Sequence, residues 1–392
     1  SLHATVRIDA ETYDEYKERV NFLYDVCGKN GLSIDRQNRN PSRLSRMPGI
    51  MRNGKKQFLV ATNMGKPSWK EWKEWIEDIN DDLPDISTVE VGYDEPELAP
   101  SIIDGVLREG HKMLIAGPSK AGKSFALIQL AIAMAEGGEW LGWRVKQGRC
   151  LYVNLELDTK SCQHRFWSIY QEIGTTPTQG NIDVWNLRGN ATSLDKLTPK
   201  LIRRAEKKGY QAVIIDPIYK VLTGDENSAA EMATFCNHFD RICLQLGVAT
   251  IYCHHHSKGV QGQKSSRDRS SGSGVFARDP DAIIDLIELV IEDDKREKIV
   301  EAWKLEALSA ELDRVISEDW RDELSQDDML VYQNVCDYAT SKRAAVDWDT
   351  VRQVMTSAKM TSGWRVESTL REFATPPHHN VFFKYPVHCR DT

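Results

Sequence analysis

The chain has 392 residues, of which 41% are hydrophobic and 28% charged, the make-up of a globular protein of two domains or three small ones. No window approaches eighteen uninterrupted apolar residues, and the first residues show no basic-then-apolar pattern, so neither a transmembrane helix nor a secretory signal is expected. A net charge of −7 excludes a uniformly basic nucleic-acid binder, yet the charge is sorted into blocks.

From Arg36 to Lys56 the stretch "RQNRNPSRLSRMPGIMRNGKK" carries seven basic residues and no acid, whereas Glu77 to Glu97 holds nine acids and no base. The eight cysteines are scattered without a CxxC pair, and several fall inside apolar segments. Buried free thiols in a reducing cytoplasm fit them better than zinc or disulfides. The chain opens on "SLHATVRIDA" with no initiator methionine, so a fragment of a longer polypeptide is expected.

In chain order, "HATVRIDA" alternates as a strand does, and "TYDEYKERVNFLYDVCGKNG" has helical spacing that ends at Gly28 or Gly31. "KQFLVAT" reads as a short strand. "SWKEWKEWIEDI" sets Trp69, Trp72, Trp75 and Ile76 three and four residues apart, predicting an amphipathic helix whose simplest role is packing. The boundaries expected are a front piece over 1–80, an acidic linker over 81–97 and a larger domain over 98–392.

Past the linker the pattern becomes α/β. Apolar runs at "MLIAG", "CLYVNLE", "IDVWNL", "AVIIDP", "ATIYCHH" and "DAIIDLIEL" alternate with helical segments at 123–136, 160–173, 194–208 and 228–246. Such strands predict a mostly parallel sheet covered on both faces. Residues 294–360 read as polar and helical, an insertion or a small subdomain, and "GWRVESTLREF" and "VFFKYPVH" return to strand character.

"GPSKAGKS" matches GxxxxGK[ST] between an apolar strand and the helix "SFALIQLAIAMA". The backbone of Gly117, Pro118, Ser119, Lys120, Ala121 and Gly122 would then cradle phosphates at the positive end of a helix, with Phe125 just beyond. Lys123 would reach the β- and γ-phosphates of ATP and the Ser124 hydroxyl would hold Mg²⁺. Asp216, ending "AVIIDP", is a second metal-site candidate, although an aspartate there also serves as a helix cap. Pro217 and Ile218 occupy the places where a water-activating acid often follows. Glu156, ending "CLYVNLE", is the alternative, expected one strand over from the phosphate loop.

"IYCHHHSKG" ends a strand in His254, His255 and His256, and three readings stay open. A metal site needs converging side chains, but strand neighbours point to opposite faces. Structural histidines are a second reading, and a sensor of the terminal phosphate a third. The following "SKGVQGQKSSRDRSSGSG" is rich in glycine and serine. Lys258, Lys264, Arg267 and Arg269 suit it to single-stranded DNA phosphates, and a plain surface loop is the alternative.

These motifs, in this order, resemble the RecA-type hexameric helicase ATPases, in particular the RepA-like group of plasmids, phages and integrative elements. The similarity covers roughly 98–290 well and 361–392 loosely. It implies a homo-hexamer translocating on single-stranded DNA at the expense of ATP and Mg²⁺, with Glu156 as catalytic base and His254 and His255 near the γ-phosphate. It also implies an arginine finger supplied to a neighbouring subunit's nucleotide. Arg269 in "RDRSSGSG" matches best, Arg278 and Arg371 are weaker candidates, and an ordinary surface or DNA-contacting cation remains the alternative.

"NPSRLSRMPG" resembles the end of an archaeo-eukaryotic primase (prim-pol) catalytic domain. That resemblance matches Ser1, Leu2 and His3 to a phosphate-binding Ser-x-His motif and Asp35 to a metal-site aspartate. Arg43 and Arg46 become candidates for nucleotide or template phosphates. The family's first acidic motif has no counterpart here, so primer synthesis by this polypeptide is not expected. Three readings of the whole follow: the helicase part of a primase–helicase from a mobile element, a DNA-binding ATPase that uses nucleotide as a switch without unwinding, or an inactive fragment whose truncation leaves the front piece unfolded and the ring unstable.

Overall fold

A computed structural model describes residues 9–36, 51–56, 68–80, 86, 88, 97–225, 228–255, 275–316 and 319–390. The chain divides into two compact units, Ser1–Glu95 and Pro96–Thr392.

In the first unit, helix α1 (Tyr13–Lys29) starts where the Thr12 side chain accepts from the Glu15 N–H, satisfying a donor the first turn leaves open. Strands β1 (Met51–Arg52) and β2 (Lys55–Lys56) form a short antiparallel ribbon. The tryptophan-rich segment is helical as its spacing predicts, α2 (Trp69–Asn80). Its Trp69 meets Phe22 of α1 edge to face, centroids 5.7 Å apart, and Val20 and Ile76 are buried. Ser1, Leu2, His3, Arg43 and Arg46 lie outside the described residues, as do most of the acidic linker and the "HATVRIDA" and "KQFLVAT" cores; Asp35 is exposed beyond α1.

The second unit is built on a nine-stranded mixed sheet. Six strands run parallel: β5 (Lys112–Gly117), β8 (Cys150–Asn154), β9 (Ile182–Asn186), β10 (Ala212–Asp216), β11 (Ala249–His255) and β12 (Ala282–Leu289). Three antiparallel strands extend the β12 edge: β13 (Ser362–Leu370), β14 (His379–Lys384) and β15 (Val387–Arg390). The order is β15-β14-β13-β12-β5-β11-β10-β8-β9. "VFFKYPVH" is therefore not one strand but the turn of a hairpin, broken at Tyr385 and Pro386.

Alternation along the strands explains the two layers. Met113 and Ile115 of β5 pack under helices α3 (Lys123–Glu136) and α4 (Thr159–Ile173), with Leu127, Ile128, Cys162 and Ile169. Leu114 and Ala116 point the other way, toward α5 (Leu194–Ala205) and α6 (Ala229–Leu246), joining Leu197, Leu201, Met232 and Phe239. On that face Phe239 stacks on Tyr252, centroids 4.3 Å apart. Burial on both faces is why these strands read as continuous apolar runs.

Sequence reading misses a small antiparallel sheet, made of β3 (Ser101–Ile103), β4 (Leu107–Arg108), β6 (Gly138–Trp140) and β7 (Trp143–Val145). It covers α3, where the Trp140 indole N–H donates to the Ala126 carbonyl at 2.7 Å. That cover lets α3 be apolar all round.

After the short α7 (Val275–Arg278) and β12, the polar segment folds as predicted into helices: α8 (Asp293–Val315), α9 (Gln326–Met329), α10 (Tyr332–Ser341) and α11 (Trp348–Met360). They bury a core of their own around Leu308, Leu312, Trp320, Val335 and Val351, and they are inserted between the paired strands β12 and β13.

Candidate functional site

The phosphate loop leaves β5 at Gly117 and enters α3 at Lys123, with Lys120 and Gly122 both in the left-handed region, φ 68° and 73°. Only a residue without a Cβ fits at Gly122. A methyl there would stand 2.8 Å from His388 Cε1 and 3.2 Å from Phe383 Cε2. The loop thus rests on the β14–β15 hairpin, a contact made across some 260 residues of sequence.

His388 is held from several sides. Its Nε2 lies 3.3 Å from the Ala121 carbonyl, its backbone N–H donates to Gln129 Oε1 at 2.8 Å, and Phe383 packs against the ring. Burial pushes its pKa down from the ordinary 6.5 to about 4. Between these values the unfolded chain binds a proton that the folded chain refuses, so stability is lost as pH falls from about 6.5 toward 4. Two and a half pH units correspond to about 3 kcal/mol at most. Thermal melts at pH 7 and pH 5 should therefore show a marked acid destabilisation, and His388→Gln should flatten it. An unchanged pH slope in that variant would assign the acid sensitivity elsewhere.

Lys123 is buried, 7% exposed, and its ammonium donates to the Gly117 and Pro118 carbonyls at 2.8 Å each. It also lies 3.1 Å from His255 Nδ1. Burial pushes the Lys123 pKa down, while Cys253 and Asp216 oppose that. A lysine wrapped in its own loop's carbonyls has donors to turn on an arriving phosphate.

Asp216, 5% exposed at the end of β10, collects three donors: Ser124 Oγ at 3.2 Å, Tyr152 OH at 2.5 Å and Cys253 Sγ at 3.0 Å. Hydroxyl and carboxylate oxygens converging in this way are the hard donors that Mg²⁺ takes. Ser124 and Asp216 therefore fit the expected metal, which would supply positive charge against the phosphate oxygens. Among the described residues no group of three His, Cys, Asp or Glu side chains forms another metal site, and all eight cysteines are free thiols, five of them buried.

Glu156 is not one strand over from the phosphate loop. The strands β11 and β10 stand between β5 and β8, and Glu156 lies two residues past the end of β8. It is linked to the pocket all the same. The Tyr219 hydroxyl donates to Glu156 Oε1 at 3.0 Å, and the Tyr219 ring lies 5.9 Å from the ring of His255, which touches Lys123.

The histidine pair is split by strand alternation. His255 shares the α3 face with Cys253 and reaches the phosphate loop, whereas His254, 3% exposed, follows Tyr252 onto the α5–α6 face. Of the two, His255 is the one that lies against the phosphate-loop lysine. His256, Lys258, Lys264, Arg267 and Arg269 lie outside the described residues.

Of the other finger candidates, Arg371 donates to Asp281 Oδ1 at 2.8 Å and to the Arg278 carbonyl at 2.7 Å. Arg278 itself is exposed at the end of α7. Both stand near the start of β5, where Lys112 pairs with Asp240 and Asp279, at the opposite end of that strand from the phosphate loop. Arg371 is engaged in tying the start of β12 to β13 within its own chain.

Sequence reading missed Tyr152, Tyr219, Cys253 and His388. Cys253 and His255 carry a faint signal, two residues apart on one strand face; the others depend on pairings between distant segments.

A family model described as an AAA domain matches residues 82–261. Among solved structures the chain is similar to a KaiC-like protein of the hyperthermophilic archaeon Pyrococcus horikoshii, at 18% identity over 48% of this chain and 76% of that one, with a TM-score of 0.33. The matched segment contains the phosphate loop, Glu156, Asp216, His254 and His255, and the mostly parallel sheet carries them.

Proposed function

We propose that the second unit is the ATP-hydrolysing motor of a DNA helicase, working as a ring on single-stranded DNA in the replication of a mobile element or phage, with the front piece a remnant of its primase domain. The observation that carries the reading is the contact chain from Lys123 through His255 and Tyr219 to Glu156. It ties the phosphate lysine to an acid with no role in the fold's core and to the strand that leads into the basic segment 256–274.

In this reading the phosphate loop, Lys123 and Ser124 hold the triphosphate, and Asp216 supports Mg²⁺. The Glu156 carboxylate accepts a proton from water as the water oxygen bonds to the γ-phosphorus and the bond to the bridging oxygen breaks. His255 exchanges Lys123 for the γ-phosphate and passes its presence or loss to the loop that follows. There Lys258, Lys264 and Arg267 grip the DNA backbone. Arg269 completes a neighbouring subunit's site, so hydrolysis requires assembly.

A nucleotide-dependent DNA switch that does not unwind shares every one of these parts. ATPase activity with and without single-stranded DNA, measured beside separation of a forked duplex, divides the two. Several-fold stimulation together with strand separation is the expected result. Stimulation without separation leaves the switch, and no hydrolysis under either condition removes the motor.

A further inference from the structure

Glu156 sits on a turn whose backbone is fixed but whose side chain is not. Asn154 Oδ1 accepts from the backbone N–H groups of Glu156 at 3.3 Å and Leu157 at 2.9 Å. Asn154 Nδ2 donates in turn to the Leu157 carbonyl and to Asn186 Oδ1, each at 2.7 Å. Past Cβ, the exposed carboxylate is left to Tyr219.

Tyr219 is itself well placed to hold it. It lies in the single helical turn Ile218–Lys220 directly after Asp216 and Pro217, and Ile218 and Val221 anchor that turn in the core at 0% and 1% exposure. The Lys220 ammonium lies 5.0 Å from the centre of the Tyr219 ring. Burial and the neighbouring Glu156 push the Tyr219 pKa up to about 12, so its hydroxyl stays a proton donor at neutral pH.

We propose that Tyr219 is the positioning residue of this ATPase: its hydroxyl fixes the Glu156 carboxylate while its ring, against His255, keeps that carboxylate in register with the Lys123 phosphate pocket. Three catalytic parts come from three strands, with Glu156 after β8, Asp216 on β10 and His255 on β11. Each strand alone leaves their relative placement to the sheet. Tyr219 adds a direct side-chain connection, and misplacing a base by about 1 Å is enough to cost on the order of 10²-fold in rate. When a γ-phosphate draws Lys123 from His255, the same ring contact gives the base a connection to the state of the nucleotide.

The inference rests on Glu156 as the base, and the test separates the two claims. Hydrolysis in the presence of single-stranded DNA, and ATP affinity, are measured for the wild-type protein, Tyr219→Phe, Glu156→Gln and the double variant, with melting curves to confirm folding. Tyr219→Phe keeps the ring on His255 and removes only the hydroxyl. It should lower kcat roughly 10-fold or more while the Kd for ATP stays within about twofold. In the Glu156→Gln background the same change should have no further effect, because the hydroxyl acts through the carboxylate. A wild-type rate in Tyr219→Phe, an equal loss in both backgrounds, or a loss confined to Kd would each overturn the positioning role. If Glu156→Gln hydrolyses ATP normally, the base assignment fails first and the role of Tyr219 falls with it.

Discussion

Glu156→Gln binds ATP with near wild-type affinity and hydrolyses it roughly 10²–10⁴-fold more slowly, the usual cost of losing a positioned general base. The substitution is close to isosteric. The amide oxygen still accepts from the Tyr219 hydroxyl, which stands 3.0 Å from Glu156 Oε1, so the contact chain to Lys123 survives. What disappears is the ability to take up a proton. The side chain is exposed and outside the core clusters, so melting should move by less than about 0.5 kcal/mol in stability. Equilibrium binding of ATP beside single-turnover hydrolysis checks both halves. Near wild-type turnover would shift the base elsewhere and leave a nucleotide-holding scaffold.

Lys123 behaves differently. Its ammonium is 7% exposed and already bonded to Gly117 and Pro118 carbonyls, so it contributes to holding the loop as well as the phosphate. A substitution there mixes folding with binding. Glu156 separates them.

The parts of the fold set by local pattern were legible in the residues. "ATIYCHH" is β11 over Ala249–His255, and the helix from Lys123 to Glu136 has the boundaries its spacing predicts. Both depend on contiguous apolar runs bounded by glycine or charge, which need no distant partner to be recognised. What stayed hidden is what distant pairing decides. The order that sets β11 and β10 between β5 and β8 is a property of the assembled sheet, and no periodicity within "CLYVNLE" encodes its neighbours. The hairpin under the phosphate loop is hidden for the same reason. Nothing local to His388 announces Gly122, and the GxxxxGK[ST] match that marks Gly122 does not reveal that a side chain there would meet His388. The small sheet over α3 was missed because two- and three-residue strands are too short to show an alternation.

Asp216→Asn should abolish most metal-dependent hydrolysis, on the order of 10²-fold or more, and lower the melting temperature as well. The two losses have different causes. The carboxylate accepts from Tyr152 OH, Cys253 Sγ and Ser124 Oγ in a site only 5% exposed, and all three are donors. An amide offers one oxygen and one N–H₂ group, so one donor then faces another, and a buried donor left unsatisfied costs about 1–3 kcal/mol. In a unit of this size that is a fall of a few degrees, on the order of 2–5 °C. Tyr152 is the informative second change, because it is fully buried and gives Asp216 its shortest bond, 2.5 Å. Tyr152→Phe in the Asp216→Asn background removes the hydroxyl donor that faces Oδ2 and leaves the amide oxygen to Ser124 Oγ and Cys253 Sγ, which both bond Oδ1. The double variant should therefore regain much of the lost melting temperature while hydrolysis stays low, since no anionic oxygen returns to face Ser124 and the metal. Recovery of hydrolysis along with stability would show that Asp216 holds the sheet rather than the ion.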